Sequence, residues 1–310
     1  IVVATRDSRC HSTSTYSPFF RYGPDGGKSH LQQASTVKRR RLLVVGAVAG
    51  LGLLVGLLAA TSTPSMDRTW AEDMRIMARG EVTPEGRVHL TDVRDWGYAP
   101  DSVLSRDYLD GTWDPRDLQE IWLYAQEFDS GGWTAHTFLV FEFDRSYGEQ
   151  RFLGVSMEAR REEGESYSIA RGLLRGFEAA MVWAMEEDLV SRRAVYAGAP
   201  VKRFRLLVDP ETRAAVFQGM IRETQALAAR PRWYNTALYN CTNTLIRDAN
   251  RVKPGAIPLH YSWVLTGRVD EYLERLGLLD PAATRTFDRD DLLQGRLRPV
   301  DAGPDEAGEK

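Results

Sequence analysis

The chain has 310 residues, 43% hydrophobic and 27% charged, which is enough apolar material for one globular domain with appendages. A formal net charge of −3 provides no basic footprint for nucleic acid. Two cysteines, Cys10 and Cys241, are too few for a disulfide framework; with no C-x-x-C pair and five scattered histidines, no metal or cofactor motif stands out.

Residues 1–41 are rich in Ser, Thr, Gly, Lys and Arg, lack sustained apolar periodicity, and read as a disordered cytoplasmic tail. Lys38-Arg39-Arg40-Arg41 then precede 42–60, a charge-free run of 19 residues. At about 1.5 Å per residue this run is roughly 28 Å long, close to the hydrocarbon thickness of a bilayer. It therefore reads as one transmembrane helix in the inner (cytoplasmic) membrane. The basic cluster puts its N-terminal side in the cytoplasm and all that follows outside. A cleaved signal peptide is the rival reading; the length of the run and the poor cleavage site Leu58-Ala59-Ala60 favour an uncleaved anchor.

The folded domain is expected over 67–279, with 280–310 a polar disordered tail. Trp70, Met74 and Met77 have helical spacing, 86–96 alternates as a strand, 101–115 reads as loop, and Leu118 to Ala125 reads as a further strand. Ala135 to Phe143 is apolar on both faces, the mark of a central strand, and carries His136 at its mouth. A polar turn over 144–150 leads to a returning strand over 151–158. With the turn centred on Tyr147, partner numbers add to 294, and His136 faces Glu158; a one-residue slip would move Glu158 to the other face. A charged loop follows at 159–168, then a short helix running into a strand at 180–185, then a strand through Phe204, Leu206 and Val208. Asp209 as N-cap and Pro210 at the first position start a helix that stops at Arg230-Pro231. Asn240 caps a second helix, which opens with Cys241 and ends before Pro254-Gly255.

A cysteine in the first turn of a helix has its thiolate favoured by unpaired N–H groups and the helix dipole. The same N–H groups can hold a developing oxyanion. Such a nucleophile needs a base, and the base an orienting acceptor. His136 is the candidate base and Glu158 the candidate acceptor, with Asp95, Asn235 and Asn240 in reserve. Arg160, beside Glu158, is a candidate for holding a substrate phosphate or carboxylate, against the plainer reading of a solvated surface arginine. The plain reading of Cys241 is a small buried hydrophobe, and of His136 a core histidine with satisfied hydrogen bonds. Export weighs toward function, because a lone thiol outside the cytoplasm is open to oxidation.

Several segments together resemble the Lnb N-terminal periplasmic domain family. They are Val93-Arg94-Asp95-Trp96-Gly97-Tyr98, Ala135-His136-Thr137-Phe138, Ser156-Met157-Glu158-Ala159-Arg160-Arg161, Arg232-Trp233-Tyr234-Asn235-Thr236 and Asn240-Cys241-Thr242-Asn243, and their order and spacing fit from about Asp92 to Asn250, roughly half the chain. The resemblance implies a papain-like, circularly permuted thiol fold with histidine before cysteine, as in lecithin:retinol acyltransferase-like enzymes. Named members of the family are lipoprotein N-acyltransferases. Carried over, Cys241 would be the acyl-enzyme nucleophile and His136 its base. This chain departs from the pattern in having Asp95 where asparagine is expected, and in having a single hydrophobic run.

The combined expectation is an α+β fold, papain-like and circularly permuted: a mixed or antiparallel sheet with the Cys241 helix packed on it, preceded by one transmembrane helix. The expected function is a membrane-anchored extracytoplasmic thiol acyltransferase that meets membrane lipid and a lipoprotein or envelope peptide. A cysteine peptidase or amidase of the envelope, and a membrane-tethered binding domain without turnover, are the alternatives.

Overall fold

The computed structural model describes residues 38–52, 56, 63–128 and 131–297. The chain divides into two units, Ile1–Ser62 and Thr63–Lys310. In the first, the described residues are helical over 38–52 and again at Gly56. The transmembrane helix expected over 42–60 is corrected here: no described helix is long and apolar enough to cross a membrane. Once the four leading basic residues are set aside, the described helix has a charge-free length of about 16 Å, roughly half of a hydrocarbon core. The tail expected over 1–41 lies outside the described residues up to position 37.

The second unit is built on one mixed sheet, whose nine strands among the described residues are β1 (Arg79–Val82), β2 (Val88–Ala99), β3 (Ser102–Trp113), β4 (Leu118–Glu127), β5 (Ala135–Phe143), β6 (Phe152–Arg160), β7 (Glu178–Met185), β8 (Val201–Leu206) and β9 (Leu279–Phe287). Their order is β1-β2-β7-β6-β5-β4-β8-β9, with β3 also paired to β2. All neighbours run antiparallel except β2 and β7, which meet in parallel at Arg94 and Ala184. β5 lies inside this order with cover on both faces, which is why both of its side-chain rows are apolar. On one face Phe141, Phe143 and Trp183 present their rings edge-on to Phe217, from the helix Pro210–Ala229. Helix Cys241–Val252 packs on the same side. On the other face Phe138, Val140, Tyr124 and Val182 form a smaller core with Leu189 and Val190 of the helix Glu186–Ser191.

Two segments read as irregular are strands. The 101–115 stretch is β3, which forms a tight hairpin with β2 through Asp101 at φ 62. Most of its side chains are half or fully exposed, so it lacks the apolar alternation by which strands are recognised. The expected tail at 280–310 instead begins with β9, an edge strand paired to β8, and continues into the helix Arg289–Leu293, capped by Asp288. Of the helix expected around Trp70–Met77, only Glu72–Arg75 is helical.

The β5–β6 hairpin has the expected register: Val140 faces Gly154 and Leu139 faces Val155, pairs whose numbers add to 294. That ladder ends at Leu139 and Val155, while β6 stays paired with β7 as far as Arg160. Beyond the last pair, β5 and β6 part. The cysteine helix contacts both strands.

Candidate active site

The local chain dictates how Cys241 is presented. Asn240 adopts extended backbone and its Oδ1 accepts the Asn243 N–H at 2.7 Å, while Asn243 Oδ1 accepts the Asn240 N–H at 2.9 Å. This reciprocal cap uses two amides of the first turn without using that of Cys241. Asn240 Nδ2 also donates to the carbonyls of Thr236, at 2.8 Å, and Trp263, at 3.0 Å. The side chain of Asn235 is likewise occupied, accepting from the amides of Ala237 and Leu238 and donating to Leu173 O. Both asparagines therefore shape the loop and cap that carry the cysteine, with their polar atoms spent on the backbone.

The thiol is buried against the free edge of β5. Its Sγ lies 3.9 Å from Ala135 O, and the Thr137 N–H bonds to it. Thr266 fixes this edge by accepting from the Ala135 N–H at 2.9 Å and donating back to its carbonyl.

His136 projects from the same strand end. Its Nε2 is 2.7 Å from Ser156 Oγ and 3.1 Å from Glu158 Oε1. Ser156 spends its one proton on Glu158 Oε1 at 2.7 Å, so it accepts at the histidine, which places the ring proton on Nε2. Nδ1 is then the nitrogen left to meet the thiol. Arg193 Nη2 donates to the same Glu158 oxygen at 2.8 Å, and its guanidinium lies over the Phe138 ring. Arg193 comes from a π-helical turn, Arg192–Tyr196, that follows the helix Glu186–Ser191. Such turns re-aim side chains at functional sites.

The electrostatics follow from these contacts. Burial alone pushes the Cys241 thiol up. The charge and hydrogen bond of His136, with help from Thr137, outweigh burial and bring it down to about 7. Burial disfavours the charged form of His136, but the charges of Glu158 and Cys241 overcome this and raise it to about 9. Glu158 is held well below the usual carboxylate range: burial opposes ionisation, and His136, Arg193 and Arg192 overcome it. Between about pH 7 and pH 9 the arrangement is thus a thiolate–imidazolium pair backed by a carboxylate.

Cys241, His136 and Glu158 share one cavity of about 340 Å3. The apolar side chains at its wall include Phe128, Tyr167, Ile169 and Leu173, which are 54%, 39%, 49% and 46% exposed and so form an open apolar rim. Among the described residues no group of His, Cys, Asp and Glu is arranged to hold a metal.

The other nominated residues lie elsewhere. Asp95 is exposed on β2, paired opposite Asp107 of β3 and away from the cavity wall. Arg160 is buried, donates to the carbonyls of Met74 and Arg75, and stacks on Trp70 at 4.0 Å; it anchors the segment before β1. Ser156, Arg193, Thr137 and Thr266 were not nominated. Ser156 and Thr137 lie two residues and one residue from nominated positions, a signal the strand alternation carried; for Arg193 and Thr266 no local pattern marks the role.

Fold and site define a sheet-rich α+β protein with a buried cysteine–histidine–carboxylate array at the mouth of a central hairpin. The model of the family described as Lnb N-terminal periplasmic domain matches residues 105–266, more than half of the chain, and the chain belongs to that family. An extracytoplasmic, periplasmic location goes with membership. Comparisons with curated proteins and with solved structures gave no match.

Proposed function

We propose that this periplasmic domain is a thiol acyltransferase working through Cys241 and His136. The observation that carries the reading is geometric: a buried thiol at the start of a capped helix shares one cavity with a histidine that is held by Ser156 and Glu158; the lowering of the thiol to about 7 by charged His136 agrees with it. A structural cysteine in an apolar core has the opposite shift. The thiolate attacks the carbonyl carbon of an acyl ester, and the Cys241 N–H, at the positive end of its helix, faces the developing oxyanion. The ester C–O bond breaks as the imidazolium gives its proton to the departing alkoxide, leaving a thioester and neutral His136. An amine then attacks the thioester, His136 takes its proton, and the thiolate leaves again. Ser156 and Glu158 hold the ring, Glu158 favours its charged form, and Arg193 holds Glu158.

The apolar rim formed by Phe128, Tyr167, Ile169 and Leu173 supports a membrane lipid as donor. A peptidase or amidase of the envelope shares the first half-reaction and differs in using water as acceptor; the rim favours the lipid donor over a peptide. A lipoprotein or envelope peptide would supply the amine.

The test is the intact mass of the full chain after incubation with phospholipid vesicles. The expected result is one added acyl mass, lost on hydroxylamine treatment and absent from Cys241→Ala. No adduct on a chain whose Cys241 reacts readily with iodoacetamide would sink the acyl-transfer reading.

A further inference from the structure

A second, apolar cavity, which like the first opens to solvent, lies on the helix-covered side of β5, next to the thiol but separate from the first. Its volume is about 280 Å3, and Leu123, Leu139, Val216, Leu245 and Leu273 are among its walls. For scale, an enclosed apolar cavity of about 150 Å3 takes up benzene. The sequence keeps this larger one open in part by placing Ala249 and Ala256 on its wall. Its only ionisable lining residues, Asp209 and Lys253, lie toward the helix end remote from Cys241.

The cysteine helix sets the direction of the cavity. Its lining positions are Thr242, Leu245, Ile246 and Ala249, with Lys253 beyond the last turn, all on one face by helical spacing. The lined length from Thr242 to Lys253 is about 16 Å at the helical rise per residue. At the near end stand Thr137 and Thr242, which bond to each other at 2.9 Å. Thr242 Oγ1 is 3.9 Å from Cys241 Sγ, and the Thr137 N–H bonds to the same sulfur. This bonded threonine pair thus touches both the reactive sulfur and the wall of a long apolar space. The first cavity, by contrast, carries Arg161, Arg192 and Glu158 on its wall, which a hydrocarbon tail would strip of water.

We propose that the second cavity receives the hydrocarbon tail of the acyl group carried on Cys241, admitted between Thr137 and Thr242, and that its length limits the acyl chains the protein accepts. The proposal rests on the acyl-transfer reading, but its binding part is tested without catalysis. Full-length Cys241→Ala is titrated with saturated fatty acids from hexanoate to palmitate, each below its micelle concentration. Affinity is expected to rise about fourfold per added methylene and then level off at a defined length. Ala249→Phe and Val216→Phe, each added to Cys241→Ala, fill the space from two different helices. Both are expected to shorten the levelling-off length and to weaken the longer acids at least tenfold, with no drop in melting temperature. Affinity independent of chain length, or an unchanged series in both filled variants, would overturn the proposal. Chain-length-limited binding without acylation of the wild-type thiol would support the cavity and count against acyl transfer. Acylation with unchanged chain preference in both filled variants would do the reverse.

Discussion

At the scale of single residues, the site is governed by one buried carboxylate. Glu158 raises His136, and charged His136 lowers Cys241, so the two limbs of any pH profile are tied to the same group. Iodoacetamide alkylation of Cys241 should fall about tenfold per unit as pH drops below about 7, where the thiol takes up its proton. Acyl transfer should also fall above about pH 9, where the imidazolium that protonates the leaving group is lost. Glu158→Gln removes the charge that raises His136. His136 then titrates lower, its weaker charge lets the thiol rise, and the window narrows from both sides; kcat/KM at its optimum should drop by about 100-fold or more. The acid limb is not unfolding at this carboxylate. Because the folded Glu158 is depressed, its contribution to stability is present above its ordinary value of 4.5 and is lost only as pH falls through the lower folded value. Far-ultraviolet circular dichroism unchanged between pH 6 and pH 9, alongside the falling alkylation rate, would establish this.

At the scale of elements, the cap and the sheet edge decide what the residues can do. Asn240→Ala deletes the acceptor for the Asn243 amide and frees the carbonyls of Thr236 and Trp263. It should cost about 1–2 kcal/mol in urea unfolding and slow alkylation of Cys241, because the helix start would no longer be held against β5. A second element-level device is remote from the chemistry. Arg94 of β2 makes a two-pronged ion pair with fully buried Asp188, which also accepts the Trp96 N–H. Asp188→Ala should destabilise the domain by about 3–5 kcal/mol, since it leaves a buried guanidinium without its anion. The alkylation rate of the folded fraction should be unchanged. The segment Val93-Arg94-Asp95-Trp96 lies before the residues matched by the family model, and its Arg94 and Trp96 are tied to Asp188 rather than to the cavity. Asp95, the residue in it that reads most readily as catalytic, points away from the cavity.

At the scale of the whole molecule, the domain places the charges of the site and an exposed apolar rim at one cavity. Leu173 and Leu174 are 46% and 59% exposed beside it. Replacing both by aspartate should lower binding to phospholipid vesicles by more than tenfold, given about 1.5–3 kcal/mol for each buried leucine, with alkylation by the small reagent unaffected. Vesicle flotation of the two proteins measures the difference.

What the sequence alone determined about this protein is what is encoded within a few residues. Asp209-Pro210 and Asn240-Cys241 announce their helix starts because a cap is a contact between neighbours in the chain. The hairpin register, whose continuation past Leu139 and Val155 brings the Glu158 side chain to His136, could be read because a turn and a two-residue alternation fix it locally. The tertiary structure alone decided the rest. β9 is a strand because β8 offers it an edge, and Arg193 reaches Glu158 because the π-turn that carries it packs on the Phe138 face of the sheet. The run at 42–60 had the composition of a membrane span, yet the described helix there is too short to cross one. The parting of β5 and β6 that admits the thiol depends on a helix some hundred residues away and on no pattern in either strand. Contacts of that range carry no periodicity, so they become visible only when the chain is folded.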